Sequence, residues 1–375
     1  MNVNERALVV VFLRGGADTL NLLVPHGEDA YYRHRPTLGL RPEAGLHRLT
    51  DFFSLHPKMA PLIPSWREGR LAFVQAVGTD NPTGSHFEAQ DQVEQGGSFA
   101  QPLSGGWLGR LLRELEAGQA PLSAIAVGDG LPKSLRGAPA AVNFRTLDEL
   151  ELPGSAAGAG DYAHALAALY EPEPGILGLR ARDTLATLRQ LGTLRHTRLA
   201  TRSSAAYPDS TFGRSLAEVA RLIKARVGVR VACVDLANWD THFFQGGVDG
   251  LQAGLIDQLS RGLAAFSDDL SERREDVLVL TVTEFGRRLY ENGSGGTDHG
   301  RGFAAMLTGA GLNGGVHGQW PGFEQDDAPG PGGLSVGIDF RHLWHEVAQR
   351  WLAVPNAARL FPDLVPQPTG ALRSS

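Results

Sequence analysis

The chain has 375 residues, 42% of them hydrophobic and 20% charged, with a formal net charge of −6. That is ordinary globular composition, long enough for one large α/β domain or two smaller ones. A mildly acidic balance gives no footing for nucleic acid or an anionic membrane surface.

The 47 glycines and 22 prolines make the chain turn-rich, but they are spread too evenly for a disordered tract. Cys233 is the only cysteine, so no disulfide framework or thiolate zinc site can form within one chain. It lies in the apolar run VRVACVDL, where a packed thiol is expected. No stretch approaches the ~18 apolar residues of a membrane span. The opening MNVNERALVVVFLRGG has no cleavable signal, because its apolar run breaks at Arg14. A soluble, cytoplasmic protein is the expectation.

Ala7–Leu13 reads as a fully buried first strand that ends at Arg14-Gly15-Gly16-Ala17-Asp18. Residues 25 to 56 look like a long surface excursion. Helix periodicity over Met59–Trp66 precedes a strand at Leu71–Val77, which empties into a polar loop and a helix from His86. Trp107–Leu115 reads as helix and Ile125–Val127 as a short strand. Gly154–Gly160 is small and flexible in composition. From Asp161 two helices are expected, divided by Pro172 and Pro174, the second reaching toward Tyr207. Phe212–Ala225 is an amphipathic helix, Val229–Leu236 a strand, and Leu251–Leu270 the helix that crosses back to a strand at Val277–Thr283. A second apolar run follows at Ala304–Thr308. Gly311–Gly337 reads as loop, and Phe340–Leu352 as a closing helix. Strands alternating with helices predict a mainly parallel sheet covered on both faces, and with no clear linker one domain over residues 1–375.

Chemistry-capable groups follow four of these strands: Asp18, Ser85-His86, Asp240 with His242, and Glu284 with Asp298 and His299. Ligands of open α/β sheets gather at the carboxyl edge of the strands. Carboxylates together with neutral imidazoles suit Zn²⁺, Mn²⁺ or Fe. Asp240-x-His242 places both side chains on one face if the segment is extended. Taken singly, an acid at a strand end is more often a turn residue or a cap. Ser85-x-x-Glu88 is a capping box in its own right, and equally a hydroxyl at a helix N-terminus that could serve as a nucleophile. Arg14 and Arg287 could clamp an anion at the same edge, or partner an acid.

Other signals carry little. Gly333-Leu334-Ser335-Val336-Gly337 fits the nucleophile-elbow pattern but follows a Pro/Gly loop, with no room for a triad after it. His345-Glu346 begins like a zinc-protease helix, but Gln349 stands where the second histidine belongs. Neither a phosphate-binding P-loop nor a dinucleotide fingerprint is present.

The segments VVVFLRGGADTLNLLVP, LAFVQAVGTDNPTGSHFEAQD, NWDTHFFQ and TEFGRRLYENGSGGTDHGRGFAAMLTGAGLNGG together resemble the family known as domain of unknown function 1501, from about Ala7 to Pro362. That family is grouped with the alkaline phosphatase superfamily of phosphatases, sulfatases and phosphomutases. The resemblance implies a three-layer α/β/α sandwich with a metal-dependent ester-cleaving site. Its members often carry an export signal. By the same resemblance Asp18 would be the first metal-binding acid and Ser85 the nucleophile. Asp240 and His242 would bind one metal, and Glu284, Asp298 and His299 would supply further ligands. Phe285 stands where the superfamily alignment places a histidine, which brings one ion, or none, into consideration beside two.

The expectation is therefore a metal-dependent hydrolase of phosphate or sulfate monoesters acting on a small anionic ester. Ser85 would attack with help from His86, and one or two divalent ions (Zn first, with Mn, Fe or Mg as alternatives) would be held by Asp18, Asp240, His242, Glu284, Asp298 and His299. The rival expectation is a catalytically inactive relative that binds an anionic glycan, lipid or protein through the irregular loops.

Overall fold

The computed structural model describes residues 3–115, 120–149, 159–196, 205–323 and 332–374. The first part of the chain forms β1 (Ala7–Leu13), β2 (Leu23–Val24), α1 (Asp29–His34), β3 (His47–Arg48), β4 (Ser54–Leu55), α2 (Ile63–Arg67), β5 (Leu71–Gly78), α3 (His86–Gln95) and α4 (Trp107–Glu114). The middle adds β6 (Ala124–Val127), β7 (Val142–Phe144), α5 (Ala159–Tyr170), α6 (Ile176–His196), α7 (Thr211–Lys224), β8 (Val231–Leu236) and α8 (Leu251–Leu270). The last part comprises β9 (Val277–Val282), β10 (Phe303–Gly309), β11 (Gly315–His317), β12 (Ile338–Asp339) and α9 (Phe340–Glu346).

The main sheet runs in the order β11-β5-β10-β9-β1-β8-β6-β7, with β12 beside β5. All its pairs are parallel except those made by β10, which is antiparallel to both β9 and β5. The reason is the connection. No crossover helix separates β9 from β10, so the chain doubles straight back.

β1 is buried along its whole length. Ala7, Val9, Val11 and Leu13 face a core shared with α7 and α8, while Leu8, Val10 and Phe12 face one shared with α3, α4 and α9. Strand periodicity of two thus feeds both faces, and each fully buried Val or Leu contributes about 1.5–3 kcal/mol relative to exposure. The result is the three-layer α/β/α arrangement, with Cys233 a buried free thiol in the second core.

Several local expectations change. The segment 25–56 is organised around α1 and a three-stranded sheet in the order β2-β4-β3. Met59–Trp66 is divided into a 3₁₀ segment, Pro57–Leu62, and the short α2, because Pro61 and Pro64 withhold backbone donors. The closing helix leaves α geometry after Glu346 for a π turn, Val347–Trp351. The expected loop 311–337 contains β11, and its residues 324–331 lie outside the described residues. So do most of Gly154–Gly160 and the stretch 197–204 leading toward Tyr207. Among the described residues no helix is long and apolar enough to cross a membrane.

One buried ion pair ties the end of α1 to the loop after β1 and to the segment following β9. Arg35, at the end of α1, donates to both carboxylate oxygens of Asp18 (2.6 and 3.0 Å) and to the carbonyls of Arg288 and Leu289. Gln245 donates to the same carboxylate at 2.7 Å, and neither Asp18 nor Arg35 is exposed beyond 1%. Removing one member of such a pair strands the other charge in a dry site. Arg35→Ala is expected to cost about 3–5 kcal/mol in urea unfolding. Arg48→Ala, which breaks the exposed Arg48–Asp51 pair, should cost no more than about 1 kcal/mol. Equal effects would refute this assignment of the anchor.

Candidate metal centre

β10 is antiparallel to both β5 and β9, so β5 and β9 share a direction with β1 and β8, and all four deliver their following loops to one edge. β1 runs into Gly15-Gly16. Gly16 has φ +63°, and a Cβ there would lie 2.3 Å from the Phe285 ring, so only glycine fits beneath that ring. β9 runs into Thr283-Glu284-Phe285. The chain then folds back on itself, with Arg287 bridged to His299 and Gly286 bonded to both Gly300 and Arg301. That return carries His299 to the same edge.

Arg287 gathers the loops. It is 1% exposed, and its guanidinium donates to the carbonyls of Gly15, Gly16, Trp239 and Thr297 and, at 2.6 Å, to Asp240 Oδ1.

Around Asp240 three imidazoles converge. Their Nε2 atoms stand 3.1 Å (His242), 3.3 Å (His299) and 3.4 Å (His86) from Asp240 Oδ1. Each ring turns its Nδ1 outward to an acceptor. His86 Nδ1 meets Glu284 Oε1 at 2.8 Å, His242 Nδ1 meets Asp298 Oδ1 at 2.9 Å, and His299 Nδ1 meets the Gly84 carbonyl at 2.8 Å. A carbonyl can only accept, so His299 carries its proton on Nδ1, and ionised carboxylates impose the same tautomer on the other two rings. Every Nε2 therefore presents a lone pair inward.

The consequence is an electron-rich cage. His242 Nε2 and His299 Nε2 lie 2.9 Å apart with lone pairs facing, and His86 Nε2 is buried without a hydrogen-bond partner. Such an arrangement is repulsive until a cation enters it. Donors about 2.0–2.1 Å from a tetrahedral ion stand about 3.3 Å from one another, close to the separations from Asp240. His86, Asp240 and His299 offer ligand atoms all within 4.8 Å of one another, a group that does not take in His242, so His242 would complete a four-donor shell only by closing toward the ion. Three nitrogens and one oxygen suit Zn²⁺, and the histidines are about a quarter exposed (24–27%), leaving a path from solvent.

Electrostatics support that reading. Burial opposes charge on Asp240, but the hydrogen bond and charge of Arg287 prevail and bring its carboxyl down to about 2. Burial likewise opposes ionisation of Glu284, and donation from His86, Gln90 and backbone N–H groups overrides it. Asp298 is held below the usual range because Asn292 and His242 outweigh its burial. Burial, then Arg287, pushes His299 down, which keeps it neutral and able to ligate. The hydrogen bond that His86 donates to Glu284 raises His86, so in that ring a proton competes with a metal.

The ten expected site residues therefore divide. Asp240, His242 and His299 point into the cage. His86, expected as an acid–base assistant, joins them as a fourth donor. Glu284 is fully buried and orients His86, and Asp298 orients His242; neither faces the cage as a ligand. Asp18 is spent on Arg35 and Gln245. Arg14 is not a free anion clamp, since it bonds Asp235 (2.6 Å), Glu94 (2.7 Å) and Gln90 (3.3 Å). Arg287 is not one either, being a buried tie between loops. Ser85 begins α3, but its side chain makes no capping bond, so the capping box does not form. Phe285 packs against the rings of His86 and His299 at 4.8 and 4.7 Å.

The placing of His86 beside Glu284 had a signal in the sequence. Gln90 lies one helical turn after it and donates to the same Glu284 oxygen, so His86-x-x-x-Gln90 marks one helix face turned toward an acid.

Protein purified without chelator or nickel resin is expected to carry one divalent ion per chain, read by elemental mass spectrometry. Asp240→Asn and His242→Ala should abolish its retention. Glu284→Gln, which touches no ion, should weaken affinity about 10–100-fold by releasing the His86 ring. A second equivalent of bound ion would contradict a single-ion centre.

The family model described as "Protein of unknown function (DUF1501)" matches residues 5–363. A comparison with curated proteins yields no match. Among solved structures, the zinc complex of the C-terminal periplasmic domain of EcEptC from Escherichia coli shares 11% identity, covering 81% of this chain and 73% of that one, with a TM-score of 0.36. Alkaline phosphatase from the Antarctic bacterium TAB5 shares 10%, covering 82% and 92%, with a TM-score of 0.32. Ps i-CgsB in complex with k-i-k-neocarrahexaose shares 11%, covering 95% and 74%, with a TM-score of 0.37. Likenesses that slight leave the chemistry of the centre to its own residues. The family match, by contrast, spans nearly the whole chain, which belongs to the DUF1501 family of proteins of unknown function.

Proposed function

We propose that the chain is a metal-dependent hydrolase of phosphate or sulfate monoesters, with one divalent ion, Zn²⁺ first among candidates, held by His86, Asp240, His242 and His299. The observation that carries this reading is the set of inward-facing Nε2 lone pairs around an ionised Asp240. When bound, the ion supplies Lewis-acid polarisation of an ester oxygen and neutralises charge gathering there.

The protein's own groups account for the rest. Ser85 sits between two residues bound to the cage: the Gly84 carbonyl accepts from His299, and His86 is itself a donor. Its hydroxyl, not used as a cap, stands at the N-terminus of α3, where unpaired N–H groups and the helix dipole favour an alkoxide or an oxyanion. Ser85 Oγ would attack phosphorus or sulfur and displace the alcohol, and water would then release the oxyanion from the serine. Glu284, Asp298 and the Gly84 carbonyl hold the three imidazoles in the tautomer this requires. Arg287 holds Asp240 ionised and in place.

The single-ion centre favours a second reading in one respect. It leaves less electrostatic stabilisation than a paired site offers, and a protein that binds an anionic ester without turning it over would look the same at rest. Turnover of an aryl phosphate and an aryl sulfate separates the two. Ser85→Ala is expected to abolish it, by about 10³-fold or more, while leaving metal content unchanged. Undiminished turnover in that variant would remove Ser85 from the mechanism; none in the parent protein, with metal bound, would favour binding alone.

A further inference from the structure

The amino edge of the sheet, opposite the candidate metal centre, holds a cavity of about 240 Å³. Four guanidiniums (Arg6, Arg70, Arg350 and Arg373) line it against a single carboxylate, Glu275, with Trp351 as one wall. Two of the four are already matched. Arg70 bonds Glu275, and Arg350 pairs with Glu346 at 3.0 Å. Among the described residues, Arg6 and Arg373 have no carboxylate partner.

Arg6 is also poised. It donates once to the Trp351 carbonyl (3.0 Å), and its guanidinium lies 5.0 Å above the Trp351 ring. Its Nε is buried with no hydrogen-bond partner. That nitrogen is shielded from the cavity as well as from bulk solvent, so the terminal nitrogens of Arg6 are the ones that would meet a ligand there, and an oxyanion is the partner that an arginine fork fits.

We propose that this cavity binds a small tetrahedral oxyanion, free or as part of a phosphorylated or sulfated small molecule, at a site separate from the metal centre. Arg6, which is half-buried, supplies the inner contact and Arg373, which is exposed, closes over the ligand from solvent. Arg70 and Arg350, fixed by their glutamates, form the floor. The chemistry is that of an effector or product site, because no histidine or cysteine and only one carboxylate, Glu275, line it.

The test is isothermal titration with inorganic phosphate, pyrophosphate and sulfate at constant ionic strength, chloride making up the balance. It is run on the parent protein and on the Asp240→Asn variant, which removes the anion affinity a metal would lend. Saturable binding is expected to survive Asp240→Asn and to weaken about tenfold or more in Arg6→Gln and in Arg373→Gln. Arg373→Gln, being on the surface, keeps the test valid if Arg6→Gln fails to fold. Tighter binding of pyrophosphate than of phosphate would identify a diphosphate-bearing ligand, and equal binding of phosphate and sulfate a single oxyanion. Absence of saturable binding by all three, or binding lost in Asp240→Asn but kept in Arg373→Gln, would overturn the proposal. Neither result bears on whether Ser85 turns over an ester.

Discussion

The candidate centre depends on one buried guanidinium. Arg287 satisfies carbonyls from the loops after β1 and β8 and from the segment returning after β9, and it spends its remaining contact on Asp240. Loop backbone buried at a strand edge must find donors somewhere, and here a single side chain provides them to segments more than two hundred residues apart. The charge that organises the loops is also the one that keeps Asp240 ionised. Position and electrostatics therefore share a cause.

The same economy appears in the imidazoles. Each ring donates its Nδ1–H to an acceptor outside the cage, so its orientation and its tautomer are settled by one contact. Glu284, Asp298 and a peptide carbonyl play equivalent parts although only two are acids. What remains is a concentration of lone pairs that the protein cannot satisfy internally. Natural folds retain such unsatisfied groups where a ligand compensates them. Phe285 is pressed onto two of the rings and seated over Gly16, closing one side of this arrangement.

Much of this could be read from residues alone. The strand β1 announced itself as ALVVVFL, and the loops carrying Asp240, His242 and His299 were recognisable as polar interruptions after apolar runs. Roles were harder to read than positions. Asp18 looked equivalent to Asp240 because both follow buried strands, but the partner that neutralises it, Arg35, sits on a helix in a segment without a clear pattern. Glu284 and Asp298 looked like ligands because an acid near a histidine can serve either as a ligand or as its support. The contact between His86 and Glu284 spans 198 residues, so no local spacing could show that this imidazole is held by that acid.

By itself, then, the sequence determined the alternation of strands and helices, the edge at which chemistry gathers and the set of residues present there. Those follow from local periodicity and from where apolar runs stop. Only the tertiary structure decided which acids face the cage and which stand behind an imidazole, that Arg14 and Arg287 are committed to internal partners, and that β10 runs against its neighbours. Those outcomes depend on distances across the fold, where a hydrogen bond of under 3 Å separates a ligand from its support and no spacing along the chain encodes it.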